Sequence, residues 1–425
     1  MKRLAGAAAV LLIAGTWACG PSDDPAPDAA GRPALPSAPE EVDSAEIERL
    51  RALPYVGVAA PLPPGAEVGV LRHDRERARP GLNIFTNAHF CSTQLMDMEG
   101  TILHSWSYEP CHLWDNTVLL PSGDLLAVGR VPHERSPEAN RAARYLLRLG
   151  WDGGLRWIRR LPAHHDVELT PAGRILTLTE RARLIPEVDP GIPVSDHAWA
   201  LLSPAGDLLE EVSLADVLLG SPRFAASPGR TRREEIDLFH ANSVEWMRQP
   251  GLIGRDPLFG PDHVLTCIRN QDTIAILSWG TRELIWSWGR GELASPHDAT
   301  LTPGGTILVF DNGLGRNWSR VVEVDPVARS IVWEYRAPDP ASFFSPTRGA
   351  CQRLGDGNTL ITESETGRAF EVTPGGEIVW EFLNSNLTAK REPSAIVRMR
   401  RYEGLEYADL VRRIAGGGGS PAPVD

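Results

Sequence analysis

A chain of 425 residues, 42% hydrophobic and 23% charged, has the composition of a globular protein that buries a core. Its length fits one large domain or two or three smaller ones. A formal charge of −12 with no basic stripe argues against nucleic acid as a partner, so any anion has to be drawn by a local cluster and not by the field of the whole molecule.

Residues 1–19 begin with Lys2 and Arg3 and continue as a short apolar run, the pattern of a secretory signal. The run is too short to serve as a final bilayer anchor. It ends in Ala18-Cys19-Gly20, which resembles a bacterial lipobox with Cys19 as the lipidated residue; cleavage after Ala18 without lipid is the alternative. The chain is thus expected to be exported, as a periplasmic or outer-membrane-anchored lipoprotein that meets the membrane only through its lipid. Residues 20–54 read as a disordered Pro/Ala-rich tether carrying a short amphipathic helix over 42–53, and residues 413–425 as a flexible tail. An oxidising compartment permits a disulfide between Cys91 and Cys111, which flank one strand pair. Cys267 and Cys351 sit inside apolar strands and read as buried thiols. The spacings form no zinc pattern.

Between these ends, residues 55–412 repeat. An apolar strand, a polar turn and a second strand, usually carrying Trp, recur at 94–106, 147–158, 201–212, 276–288, 322–335 and 370–382. A second set of hairpins alternates with them, at 115–129 and from His165, His240 and His297, then at 349–363. Residues 393–402 supply the inner strand of the sixth unit, closing against strands near 82–90. The strands are short, alternating and bounded by Gly and Pro. The fold class is therefore all-β: a six-bladed β-propeller of four-stranded antiparallel blades, closed without free edges. Trp157, Trp286, Trp333 and Trp380 share one repeat position and are expected to pack between blades.

In such a ring the first strand of each blade lines the central channel. His165 and His297 each lie six residues before the proline of their turn, Pro171 and Pro303. His165, His240 and His297 open the first strands of blades two, three and four. The antiparallel return brings Arg269, at the end of L-T-C-I-R-N, back to the same mouth. Asn242 shares the face of His240. Three imidazoles and a guanidinium converging on one mouth mark a site. His165 is preferred to His164 because it alone matches the phase of His297. Asp166 and Asp298 point the other way and could fix a histidine tautomer or cap a turn. Three histidines could hold a metal, but Arg269 would repel a cation, and no metal is expected in this set. His89, His104, His112, His133, His197 and His263 lack the phase and read as structural or surface residues. The basic loop 223–233 should hang over the mouth.

The F-H-x-N-S motif at 239–243, the strand ending in Arg269 and the H-D-A-x-L-T-x-x-G strand from His297 resemble the bacterial arylsulfotransferases, which move sulfate between phenols without an activated nucleotide. The likeness covers most of 81–402. It implies a transiently sulfated His297, with His240, Asn242 and Arg269 holding the sulfuryl oxygens and His165 as the second channel histidine. It implies phenols and aryl sulfates as small-molecule partners and no cofactor. A non-catalytic surface propeller binding a ligand at the same mouth, or a sulfate hydrolase, are the alternatives.

Overall fold

The computed structural model describes residues 59–416 apart from Arg135, Arg233 and Arg248. The signal, Cys19, the tether, its helix and the last nine residues lie outside the described residues.

The strands run in chain order as β1 (Gly69–His73), β2 (Leu82–Asn87), β3 (Ser92–Met96) and β4 (Ile102–Ser107), then blade by blade. Blade one is β5 (Leu113–Leu119), β6 (Leu125–Arg130), β7 (Arg144–Leu149) and β8 (Leu155–Arg159). Blade two is β9 (Ala163–Leu169), β10 (Ile175–Ile185), β11 (Asp189–Leu202) and β12 (Leu208–Ser213), extended by the small strands β13 (Arg230–Arg232) and β14 (Glu235–Asp237). Blade three is β15 (Ala241–Trp246), β16 (His263–Ile268), β17 (Thr273–Ser278) and β18 (Leu284–Trp288). Blade four is β19 (His297–Leu301), β20 (Ile307–Asp311), β21 (Arg320–Asp325) and β22 (Ser330–Tyr335). Blade five is β23 (Ala350–Arg353), β24 (Thr359–Glu363), β25 (Arg368–Val372) and β26 (Ile378–Leu383), with β1 added to its outer edge. The last strand, β27 (Ile396–Tyr402), pairs antiparallel with β2 in the register Leu82↔Tyr402, and with β3 and β4 completes blade six. The ring is thus six antiparallel sheets, clasped by a C-terminal strand, as the repeat requires. Three short helices, α1 (Pro137–Ala142), α2 (Leu214–Leu219) and α3 (Gly404–Ala415), lie on connections and at the end; α3 reaches into the stretch expected to be tail.

Apolar faces of successive blades bury one another. Cys267, Ile274, Ile276 and Trp286 of blade three pack on Ala299, Leu301, Ile307 and Val322 of blade four. Each such side chain removed from water contributes about 1.5–3 kcal/mol. The outer-strand tryptophans do the same work between blades. Trp106, Trp333 and Trp380 donate their indole N–H to Gly150, Pro374 and Met98 carbonyls, each in the next blade's outer turn. Cys91 and Cys111 form a disulfide, and Cys267 and Cys351 are free and buried.

Residues of the first strands line the axis in two cavities. One, of about 40 Å³, is bordered by Asp115, Asn116, His165, Asn242, His297, Arg348 and Arg398. The other, of about 210 Å³, is bordered by Glu168, Glu245, Thr300, Cys351, Arg353 and Arg400. Arg398 and Asp298 border both. Arg398 pairs with Asp166 at 3.2 Å and with Asp298, and so crosses the channel between blades two, four and six.

Candidate active site

The first strands β5, β9, β15 and β19 are each bulged near the mouth, whereas β23 pairs without a break. The pairing register shifts between Trp114 and Asn116 on β5, opposite Thr177–Leu178 on β9, between Ala241 and Ser243 on β15, and between His297 and Thr300 on β19. A bulge adds residues to one strand, bends it and re-aims side chains. At these points His165 (φ 59°), His240 (φ 48°) and Asp298 (φ 51°) adopt the left-handed conformation that costs a residue with a Cβ. The cross-strand partner of His297 is Phe310, and the residue that meets the corresponding Leu178 in blade two is His164, not His165. The bulge in β9 is one residue longer than that in β19, so equal distance from the turn does not mean equal register. His165 reaches the cavity from the bulge itself, and His164 lies behind it.

The rings of His165 and His240 meet edge to face with centroids 5.0 Å apart. Burial first, then His164, His240 and His297 among its neighbours, hold His165 well below the usual histidine range. The cavity leaves part of its ring accessible, but protein encloses it on every side. His297 is 4% exposed. Burial, then the positive charge of Arg269, push its basicity well down. The structure therefore brings His297 within electrostatic reach of Arg269, His240 and His165, while the residues bordering the upper cavity include His165 and His297 but not His240 or Arg269. Asn242 lines the same cavity and donates to the Pro296 carbonyl at 2.9 Å, tying down the residue before His297.

Three neighbours were not singled out from the sequence. Asn312, at the end of β20, lies 2.7 Å through Oδ1 from His297 Nδ1. Its amide nitrogen donates to the carbonyls of Ser345 and Arg348 at 2.7 and 2.6 Å, so its oxygen must face the imidazole. His297 Nδ1 is then the protonated nitrogen, and Nε2 carries the lone pair. Nε2 is buried and has no hydrogen-bond partner among the described residues. The strand-return argument that placed Arg269 would have placed Asn312 too, because it closes T-I-L-V-F-D-N antiparallel to the start of β19. Asp237 accepts from His240 Nδ1 at 2.6 Å; it stands three residues before the histidine. Arg348 lines the cavity and pairs with Glu365 at 3.2 Å. It sits two residues before Ala350, the blade-five residue that corresponds in register to His297 in blade four. Arg348 and Gly349 are both left-handed, and a Cβ on residue 349 would lie 2.4 Å from the Phe310 ring, so glycine is required there.

One expectation changes. Asp166 and Asp298 were candidates to orient a histidine or cap a turn. Instead they pair with Arg398 and accept from the backbone N–H groups of Val244 and Cys351. The carboxylate that orients a histidine is Asp237. The basic loop is fastened through Gln271, which accepts from Ser227 N–H and donates to the Ser227 and Leu238 carbonyls; none of its described residues borders the upper cavity.

No curated protein matches the sequence. Among solved structures, the chain is similar to a protein of unknown function from Bacteroides caccae, with 12% identity, TM-score 0.49, and 77% of this chain and 100% of the other covered. It is similar to virginiamycin B lyase from Staphylococcus aureus (14%, TM-score 0.37, 64% and 71% covered) and to AztD from Citrobacter koseri (11%, TM-score 0.41, 77% and 99%). Those distances carry no argument about chemistry. The model of the arylsulfotransferase family matches residues 157–385, a span holding His165, His240, Arg269 and His297. That is just over half of the sequence, and the chain belongs to the arylsulfotransferase family, a family of sulfotransferase enzymes.

Proposed function

We propose that the enzyme moves a sulfuryl group from an aryl sulfate ester to a phenolic acceptor through a covalent intermediate on His297. One observation carries this reading: the His297 ring presents a buried Nε2 lone pair without a hydrogen-bond partner among the described residues, within reach of the Arg269 charge. A nucleophile of this kind needs its other nitrogen anchored and its resting state neutral; Asn312 and Arg269 supply the two conditions.

In the first half-reaction the Nε2 electron pair forms the N–S bond while the S–O bond to the aryl oxygen breaks. The aryl oxide leaves with that pair. Positive charge appears on the imidazole, and the Nδ1–H bond to the Asn312 oxygen strengthens with it. As in phosphoryl transfer, the equatorial oxygens carry charge through a loose transition state, which Arg269 and the His240 ring, oriented by Asp237, hold in place. Arg348 adds a second guanidinium to the same wall. In the second half the acceptor phenol, with a pKa of about 10, gives its proton to His165 as its oxygen attacks sulfur, and the N–S pair returns to Nε2. The lowered basicity of His165 leaves it neutral at rest, ready to accept that proton and poorly placed to protonate the first leaving group. Donors whose phenols are acidic should therefore donate fastest. An upper cavity of about 40 Å³ admits the sulfuryl head and not an aromatic ring, which lies toward the mouth.

The test is incubation with an aryl sulfate, an alkaline quench, and a search by peptide mass for one sulfonate on His297. His297→Asn should lose activity by about 10³-fold or more, and the rate of enzyme sulfonation should rise as the leaving phenol becomes more acidic. No sulfonated peptide across varied donors, with unchanged phenol release by the variant, would defeat the proposal. Phenol release independent of added acceptor would mark a hydrolase, and saturable binding without turnover a receptor.

A further inference from the structure

Behind the upper cavity, blade two buries a second polar cluster that the sulfuryl chemistry does not use. His164 on β9, Glu180 on β10 and His197 on β11 lie on neighbouring strands, with Glu180 directly opposite His197. One ligand atom from each lies within 4.8 Å of those of the other two. His197 Nε2 is 3.6 Å from Glu180 Oε2 and 3.9 Å from Asp237 Oδ1. The His164 and His197 rings cross with centroids 4.7 Å apart. His164 is wholly buried; its Nδ1 is engaged by His165 at 2.7 Å, and its Nε2 makes no hydrogen bond of good geometry among the described residues, the Thr179 backbone being the other polar group near the ring. A buried ring nitrogen that gives up water and gains nothing is costly, and a ligand that accepts its lone pair removes that cost.

We propose that His164, His197 and Glu180, with Asp237 as the fourth group, hold a divalent transition metal, zinc being the best match. Two imidazoles and two carboxylates are borderline donors suited to zinc. Tetrahedral bonds of about 2.0–2.2 Å place ligand atoms roughly 3.4 Å apart, close to the 3.6 Å between His197 and Glu180. Arg144 lies 3.1 Å from the other Glu180 oxygen, Oε1, as an outer partner of the kind metal-bound carboxylates have, and Oε2, which faces the cluster, takes only a long 3.4 Å hydrogen bond from the Ser195 hydroxyl. The site excluded in the sequence analysis was a different one, the set containing Arg269; this cluster uses two histidines set aside there.

The location gives the ion a purpose. The 2.7 Å contact between His164 Nδ1 and His165 Nδ1 would carry the ion's hold on His164 over to the His165 ring. Asp237 reaches toward the cluster with Oδ1 and accepts from His240 with Oδ2. One ion would thus orient His165, which borders the upper cavity, and its neighbour His240 from behind. The site stands whether or not His297 carries the sulfuryl group.

The experiment is metal analysis of the full chain after dialysis into zinc, cobalt(II) or manganese(II) buffered at micromolar free ion. The expected result is about one equivalent bound per chain, with a higher Tm than the chelator-treated protein. His164→Ala and His197→Ala should lose the ion, and His297→Ala should keep it. Wild-type protein that stays metal-free in all three buffers overturns the proposal, as does a His164→Ala/His197→Ala double variant that binds as much as wild type. Should the variants not fold, the cobalt(II) spectrum of the wild-type protein decides: intense visible bands of a four-coordinate site support it, and the weak spectrum of hydrated cobalt overturns it.

Discussion

At the scale of single residues, the orientation of one amide decides which nitrogen of His297 can react. Asn312 spends both amide hydrogens on the Ser345 and Arg348 carbonyls and has only its oxygen for the imidazole. Asn312→Leu should lower kcat by about 10- to 100-fold, the usual range for a group that orients a reactive ring. Asn312→Asp makes a sharper test. A carboxylate facing His297 favours the imidazolium and raises the ring's pKa. Because protonation blocks the nucleophile, the acid limb of kcat/KM should move to higher pH. A limb unmoved in a folded Asn312→Asp protein would show that His297 is not the group whose ionisation governs the rate. The tautomer was not legible in the sequence. Asn312 does not stand out in the sequence, because its two carbonyl partners, Ser345 and Arg348, come from the connection leading into blade five, 33 and 36 residues further on.

At the scale of strands, the repeat announced itself through turns and periodicity, and the pairings follow it closely. What stayed hidden was the bulging at the mouths. Period-2 alternation assumes an unbroken ladder, and the bulged bonds between His164 and Val167 or between His297 and Thr300 leave no signature in residue type. The phase match of His165 with His297 picked out the residue that borders the cavity, for a reason that the register does not share. Charged groups inside strands were equally unreadable. Arg401, on β27, is 1% exposed. It donates to Asn83 Oδ1 on β2 at 2.8 Å, to the Arg79 carbonyl at 2.9 Å, and to Glu371 on β25 of the neighbouring blade. Arg401→Met leaves the buried Glu371 charge without its partner and should cost about 3–5 kcal/mol in chemical unfolding. Arg401→Met with Glu371→Leu should recover a large part of that loss. If the double variant is no more stable than the single one, the cost lies in packing and not in the stranded charge.

At the scale of the whole ring, two sets of buried groups pull stability in opposite directions with pH. Burial holds His164, His165 and His297 well below their ordinary value. The unfolded chain binds protons at these positions from about pH 6.5 downward while the folded chain does not, so their contribution is lost as the solution is acidified. In the lower cavity, burial and then Asp166 push Glu168 up to about 7, and burial and then Glu168 push Glu245 up. Here the folded chain holds protons that the unfolded chain releases, so acidification from pH 7 toward 4.5 stabilises it. Glu168→Gln removes the charge that the native cavity resists at high pH. Relative to wild type, its Tm should be raised at pH 8, and that advantage should shrink by pH 5. An advantage constant across the range would place Glu168 outside the balance. None of this was visible from composition, which reports a net charge of −12 and nothing about which carboxyls share a channel.

The pairing of β27 with β2 has a consequence for how the molecule is made. Residues 82 and 402 are partners in one ladder, so the ring has a seam that only a strand made long after β2 can sew. Until β27 has left the ribosome, β2 presents a bare hydrogen-bonding edge, and a nascent or prematurely stopped chain lacking β27 is open to pairing with a neighbour's strand.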